Sequence, residues 1–140
     1  GRGPSPALRQ RLEATERVEL FADVPDLAPY LARTSVALNP VVSGSGVNIK
    51  LIDYLDAELP LVSTSLATAG LPLAAGVDLE VHDDPKEFAD AVLRLLEDPT
   101  LARRLARSGR RHLRELLDAP TNLARIGELL SPRRSASPTA

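Results

Sequence analysis

The residues best suited to chemistry lie between Asn39 and Asp53. A short apolar strand is predicted to end at Leu38, the loop Gly44-Ser45-Gly46 follows it, and a helix is predicted to begin near Val47. Glycines let the backbone come close to a ligand, and the first amides of a helix carry partial positive charge. This combination is typical of a phosphate or diphosphate site.

Two charged side chains extend this candidate site along the predicted helix. Lys50 on the first turn adds a full positive charge, and Asp53 follows three residues later on roughly the same face. A carboxylate in that place can accept hydrogen bonds from a ribose diol. From the residues alone a second interpretation stays open, because Gly-Ser-Gly is common in plain loops. Lys50 would then be a solvated surface charge, and Asp53 would only favour the helix dipole.

Prolines and glycines divide the chain into short elements. Strands are predicted at 18–21, 35–38, 59–64 and 77–81. Helices are predicted at 7–15, 26–32, 47–57, 86–97, 100–117 and 120–130. The Ser/Pro/Arg-rich residues 131–140 predict a disordered tail. Short Val/Leu-rich strands that alternate with helices predict an α/β fold: a Rossmann-like parallel sheet with helices on both faces, incomplete at about four strands.

The composition excludes several classes of protein. Absence of cysteine excludes disulfides and thiolate catalysis, and 17 Lys+Arg against 19 Asp+Glu (net charge -2) argue against nucleic-acid binding through bulk charge. No apolar run approaches a membrane span of about 20 residues and no signal peptide is visible, so we expect a cytoplasmic location. The chain has no methionine even at position 1, which together with the few strands predicts that the first part of the domain lies upstream. Richness in Arg and Ala favours a bacterial source.

Other charged features are interpreted mainly as surface. The predicted helix at 100–117 carries six arginines: Arg103, Arg104, Arg107, Arg110, Arg111 and Arg114. They predict a solvated helix face, with contact to the inner face of an anionic membrane or to an acidic partner as the alternative. The acidic residues of 78–98 fit helix capping better than a metal site. His82 has no partners at the spacing of a catalytic triad, so we interpret it as an exposed loop histidine.

The stretch around the Gly loop resembles one family. Residues 47–64 (VNIKLIDYLDAELPLVST), with Gly44 and Gly46 before them, resemble the block G-x-G-x-x-x-K-x-x-E-A-x-A-x-G-x-P-V-V-x-T. This block is found in the C-terminal, donor-binding domain of retaining glycosyltransferases of the GT-B architecture, the group 1 type. Further segments resemble family motifs in the same order, over about residues 1–118: GRGP at 1–4, VELFADVPDL at 18–27, AGL at 69–71, DDPKEFA at 83–89 and the GRR that begins at Gly109.

The resemblance implies the C-terminal half of a GT-B fold, with a donor domain at 1–130 that is truncated at its N-terminal side. It implies transfer of a sugar from a nucleotide diphosphate sugar to an acceptor held by a missing N-terminal domain. The isolated chain is then expected to be inactive. No nucleic-acid partner is implied. No metal or other cofactor is expected, because backbone amides and Lys50 would neutralise the departing diphosphate.

The resemblance also assigns residues to parts of the donor. Diphosphate binding is expected from six residues of the loop and helix start: Gly44, Ser45, Gly46, Val47, Asn48 and Lys50. Ribose binding is expected from Asp53. Base binding is expected from a segment near the N-terminus: Ala22, Asp23, Val24 and Pro25. No catalytic residue is assigned.

The chain departs from the family pattern at three positions. Where the family has a pair of glutamates with seven residues between them, this chain has Ser45 and Asp53. Glu58 replaces a glycine that ends the helix in a left-handed conformation, at a cost of about 1 kcal/mol. The loss of the glutamates supports an alternative function, a catalytically inactive nucleotide-binding or interaction module, whereas Gly44, Gly46 and Lys50 support the enzyme.

Overall fold

The computed structural model describes residues 3–44 and 48–118, and the chain divides into two compact units, Gly1–Arg33 and Thr34–Ala140. The predicted helix at 120–130 and the predicted tail at 131–140 lie outside the described residues. The domain boundary at residue 130 therefore stays a prediction.

The first unit contains two short helices, α1 (Pro6–Glu13) and α2 (Ala28–Leu31). Ser5 caps α1, since its hydroxyl accepts a hydrogen bond from the Leu8 amide at 3.3 Å. The rings of Phe21 and Tyr30 lie 5.0 Å apart.

The predicted strand at 18–21 is wrong. These residues have no regular structure, and Val18 and Phe21 are 41% and 55% exposed. A strand needs a hydrogen-bonded neighbour, and no strand in the described part of the chain pairs with this segment. Apolar composition alone therefore gave a false signal at this position.

The second unit is an α/β arrangement in which helices flank a short parallel sheet. Its elements are β1 (Ala37–Asn39), α3 (Ile49–Asp56), β2 (Leu61–Ser63), α4 (Ser65–Thr68), β3 (Glu80–Val81), α5 (Pro85–Glu97) and α6 (Pro99–Leu117). The strands lie in the order β1-β2-β3 and all pairs are parallel. The α/β class and the parallel sheet flanked by helices are confirmed, with three strands in the described residues rather than about four.

The core forms where the helices cover the central strand. All three residues of β2 are buried, and Val62 packs with Ala91 and Leu95 of α5 and Leu105 of α6. Asp84 and Asp98 begin the two long helices, because each carboxylate accepts two backbone amide hydrogen bonds at 2.9–3.0 Å. The capping interpretation of these two acids is thus confirmed.

Helix α6 comes unusually close to α3 at Gly109. A Cβ at this position would lie 2.7 Å from the Asp78 carbonyl oxygen and 2.7 Å from Cδ2 of Leu55. Because Gly109 has no side chain, α6 can pack directly against Leu55 on the buried face of α3. Despite its length, α6 is too polar to cross a membrane, and no other helix within residues 3–44 and 48–118 is long and apolar enough to do so.

Candidate functional site

The carboxyl ends of the three strands align at one edge of the sheet. Asn39 pairs in register with Ser63, and Ser63 pairs with Val81. Thr64, directly after β2, donates from its hydroxyl to the Val41 carbonyl at 2.6 Å and from its amide to the Asn39 carbonyl at 3.3 Å. This edge is where open α/β sheets bind ligands, and the hydrogen bonds fix the segment that leaves β1.

Asn39 joins this edge to the start of α3. Its Oδ1 accepts a 3.1 Å hydrogen bond from Nδ2 of Asn48, the residue before α3. The Asn39 side chain is buried, yet its Nδ2 has no partner within the part of the chain that the structure describes. A buried donor without a partner is costly unless a ligand satisfies it, so Asn39 is a candidate ligand contact.

Sequence reasoning missed Asn39 as a site residue. The signal was present in the sequence, because a polar side chain follows the apolar Ala37-Leu38 and precedes Pro40 at a predicted strand end. Asn39 was not considered because the family motif that guided the prediction begins at the Gly loop.

The expected anion-binding residues lie at the start of α3. Asn48 makes no side-chain hydrogen bond to the helix it precedes, since its amide is directed to Asn39. Lys50 lies on the first turn and is exposed, as the sequence predicted. Gly44 has a φ of 132°, which an L side chain rarely adopts. Ser45, Gly46 and Val47 lie outside the described residues.

Asp53 lies one turn after Lys50 on α3 and is half-buried. Among residues 3–44 and 48–118, neither its carboxylate nor the Lys50 ammonium has a hydrogen bond or an ion pair. Burial, and secondly the charge of Asp53, raise the pKa of the neighbouring Tyr54. Both charged groups are thus available to a ligand, and the ribose and phosphate assignments stay predictions.

The residues expected at the base, Ala22, Asp23, Val24 and Pro25, belong to the first unit. They form an irregular segment in which Asp23 has a left-handed φ of 54°. Their contact with a nucleotide base stays a prediction.

His82 follows β3 at the same edge as Asn39 and Ser63. Its Nε2 lies 3.0 Å from Glu80 and its Nδ1 lies 3.6 Å from Glu87. His82 lies in a loop, as predicted, but its side chain is only 23% exposed and its ring contacts two carboxylates, so the prediction of an exposed histidine is wrong. Next to it, Asp83 accepts hydrogen bonds from the hydroxyl and the amide of Ser65, in that order of effect, which lower the pKa of the Asp83 carboxyl.

The comparisons with known proteins agree with this arrangement. The sequence profile of the family described as glycosyl transferases group 1 matches residues 1–98. The chain belongs to this family. The structure is similar to sucrose-phosphate synthase from Thermosynechococcus elongatus, with a TM-score of 0.67 and 20% identity over 88% of this chain. The sheet and its helices therefore match a fragment of a GT-B glycosyltransferase.

The match covers 32% of the length of the synthase chain. A search of the curated proteins finds no match to this glycosyltransferase chain.

Proposed function

We propose that this group 1 glycosyltransferase chain is the C-terminal, donor-binding domain of a retaining enzyme that uses a nucleotide diphosphate sugar. The observation that carries the proposal is the hydrogen bond between Asn39 and Asn48 at the strand edge, together with the buried Asn39 Nδ2, which has no partner among the described residues. The start of α3 adds backbone amides and Lys50, whose ammonium has no hydrogen bond or ion pair within the described residues. These groups are all donors or cations, so they suit an anionic ligand.

In the proposed reaction the bond between the anomeric carbon and the diphosphate breaks, the acceptor oxygen forms the new bond on the same face of the sugar, and the proton of the acceptor hydroxyl passes to an oxygen of the departing diphosphate. The diphosphate leaves with the bonding electrons, so negative charge grows at its oxygens. The α3 amides, Asn39 Nδ2 and Lys50 would stabilise that charge without reorganising, which is where such sites gain most of their rate. Asp53 would orient the nucleotide through the ribose hydroxyls, and residues 22–25 would contact the base.

The acceptor would be held by an N-terminal domain outside this chain. That domain would position the acceptor oxygen, and without it the two reactants are not brought together. The isolated chain is therefore proposed to bind the donor without transferring the sugar. Chromatography of a labelled donor measures transfer. If the 140-residue chain alone transfers the sugar to an acceptor, the proposal that a separate domain is required is wrong.

Titration calorimetry with UDP, GDP and ADP tests the proposed site directly. The chain has two lysines, Lys50 at the site and Lys86 on α5, and both are exposed. Lys50→Gln should weaken binding of the preferred nucleotide about tenfold, the effect of one lost charge-assisted hydrogen bond. Lys86→Gln makes the same change of charge away from the site and should bind like wild type.

If no nucleotide binds, or if both lysine variants weaken binding equally, the donor-site assignment is wrong. The chain would then fit the alternative, an interaction module that keeps the fold without the substrate.

A further inference from the structure

The exposed face of α6 forms an arginine-lined groove that is separate from the sheet edge. The groove has a volume of about 550 Å³, and α6 contributes six of the residues that line it: Thr100, Arg103, Arg104, Arg107, Ser108 and Arg111. Val77, from the loop before β3, also lines the groove. A concavity of this size falls in the range of small-molecule sites.

The arginines of the groove repeat at helical spacing. Arg103, Arg107 and Arg111 are four residues apart, so they lie on one face of α6 over about 12 Å of helix. Arg104 lies on the same side, seven residues before Arg111. Four guanidinium groups therefore converge on one cavity.

Carboxylates do not neutralise most of this charge. In the described residues, Arg103, Arg104 and Arg111 have no carboxylate within 4.0 Å, and Arg107 lies 3.7 Å from Glu58. A second carboxylate, Asp78, lies beside the groove but is only 3% exposed. The Asp78 oxygens already accept hydrogen bonds from Ser108 and the Ala74 amide and contact His112 at 2.8 Å.

We infer that this groove is a binding site for a small soluble polyphosphate, a ligand with two or three phosphate groups. Guanidinium forks bind phosphate oxygens in pairs, and the hydroxyl of Thr100 adds a neutral donor, whereas the Ser108 hydroxyl already donates to Asp78. A concave site favours a compact anion over a flat lipid surface. The apolar face of α6 is also buried in the core through Leu105 and Leu113, and Val77 is the only apolar residue among the described residues that line the groove, so the groove offers little apolar surface to insert into a bilayer.

Calorimetric titration of the 140-residue chain with inorganic tripolyphosphate tests the inference. Wild type should bind one tripolyphosphate at the groove, with an affinity that falls as salt is added. The double variant Arg104→Gln/Arg111→Gln removes two exposed arginines that have no carboxylate partner among the described residues, although Arg111 donates to Ser108 at 3.3 Å, and it should weaken this binding at least tenfold. Arg114→Gln removes an exposed arginine of the same helix outside the groove, and should change it less than twofold.

Lys50→Gln separates the groove from the proposed donor site. Binding at the groove should persist in this variant, whatever happens to nucleotide binding. If Lys50→Gln abolishes tripolyphosphate binding and the arginine variant retains it, the anion lies at the donor site and the inference is wrong.

Vesicles of phosphatidylglycerol and phosphatidylcholine provide the second arm. If wild type sediments with these vesicles and tripolyphosphate does not release it, the arginine face binds membranes and the inference is wrong. Equal binding of tripolyphosphate by wild type and by Arg104→Gln/Arg111→Gln, with thermal melts that show both folded, would also overturn it.

Discussion

Glu58 ends α3 in a left-handed conformation, with a φ of 55°, while its carboxylate accepts a 2.8 Å hydrogen bond from Arg110 of α6. The Leu59 amide donates to the Tyr54 carbonyl at 3.1 Å and the Glu58 amide donates to the Leu55 carbonyl at 3.0 Å. This is the Schellman pattern, in which glycine is the usual residue at the Glu58 position. The left-handed conformation expected at this position is confirmed, and Arg110 ties the end of α3 to α6.

Substitutions at Glu58 should separate backbone strain from the ion pair. Glu58→Ala loses the pair and keeps the strain, whereas Glu58→Gly loses the pair and relieves the strain. We expect Glu58→Gly to be the more stable of the two by about 1 kcal/mol. Because both charged groups are partly exposed, loss of the pair should cost only about 0.5 kcal/mol. Urea unfolding measures both differences, and equal midpoints for the two variants would show that the conformation is unstrained.

Gly109→Ala should destabilise the protein although alanine favours helices. An exposed helical glycine gains about 1 kcal/mol on change to alanine, but here the new methyl would meet the Asp78 carbonyl and Leu55 at 2.7 Å. Overpacking of this kind costs about 1–3 kcal/mol, so we expect a net loss. Arg114→Ala, at an exposed position of the same helix, is the control for helix propensity. A Gly109→Ala protein that melts at or above the wild-type temperature would rule out the close approach.

Asp78 should make the protein sensitive to acid. Burial raises the pKa of the Asp78 carboxyl, but the Ala74 amide, then His112 and Ser108, outweigh it, so the net pKa is lowered from 3.8. A carboxyl with a lower pKa in the folded state stabilises the fold above its unfolded pKa, and this contribution is lost as the pH falls through the folded pKa.

The free energy of unfolding should therefore decline below about pH 4 in wild type. Asp78→Asn, which keeps the shape of the side chain, should start less stable at neutral pH and decline less. Part of the acid sensitivity should remain because the pKa of Asp83 is lowered as well. Urea titrations at several pH values measure these slopes. Parallel slopes in wild type and Asp78→Asn would show that Asp78 does not contribute.

The sequence predicted the elements that have strong local signals. Prolines after Asp84 and Asp98 set the starts of α5 and α6, and apolar spacing set their buried faces. The segment 18–21 failed because an apolar run does not reveal whether a neighbouring strand exists. The helix α4 was missed because it has a single large apolar residue, Leu66, and therefore no helical spacing of apolar residues, unlike the region of α2 with Leu27, Tyr30 and Leu31.

The candidate site was predictable only in part. Gly44, Asn48 and Lys50 could be placed because a loop that leads into a helix leaves a local pattern. The Asn39–Asn48 contact joins residues nine apart across a loop, and the Ser108–Asp78 contact joins residues thirty apart. No local sequence pattern indicates that the Asn39 amide lacks a partner among the described residues, or that four arginines line one groove.

The most direct test of the central claim measures Asp53 against the ribose hydroxyls. Wild type and Asp53→Asn are titrated calorimetrically with the preferred nucleoside diphosphate and with its 2′,3′-dideoxy analogue. A charge-assisted hydrogen bond contributes roughly 1.5–3 kcal/mol, so Asp53→Asn should weaken binding of the ribonucleotide about tenfold or more. The substitution should not change the affinity for the dideoxy analogue, and the melting temperature of the variant should be close to that of wild type. If Asp53→Asn binds the ribonucleotide like wild type, or weakens both ligands equally, Asp53 does not bind the ribose and the donor-site account is wrong.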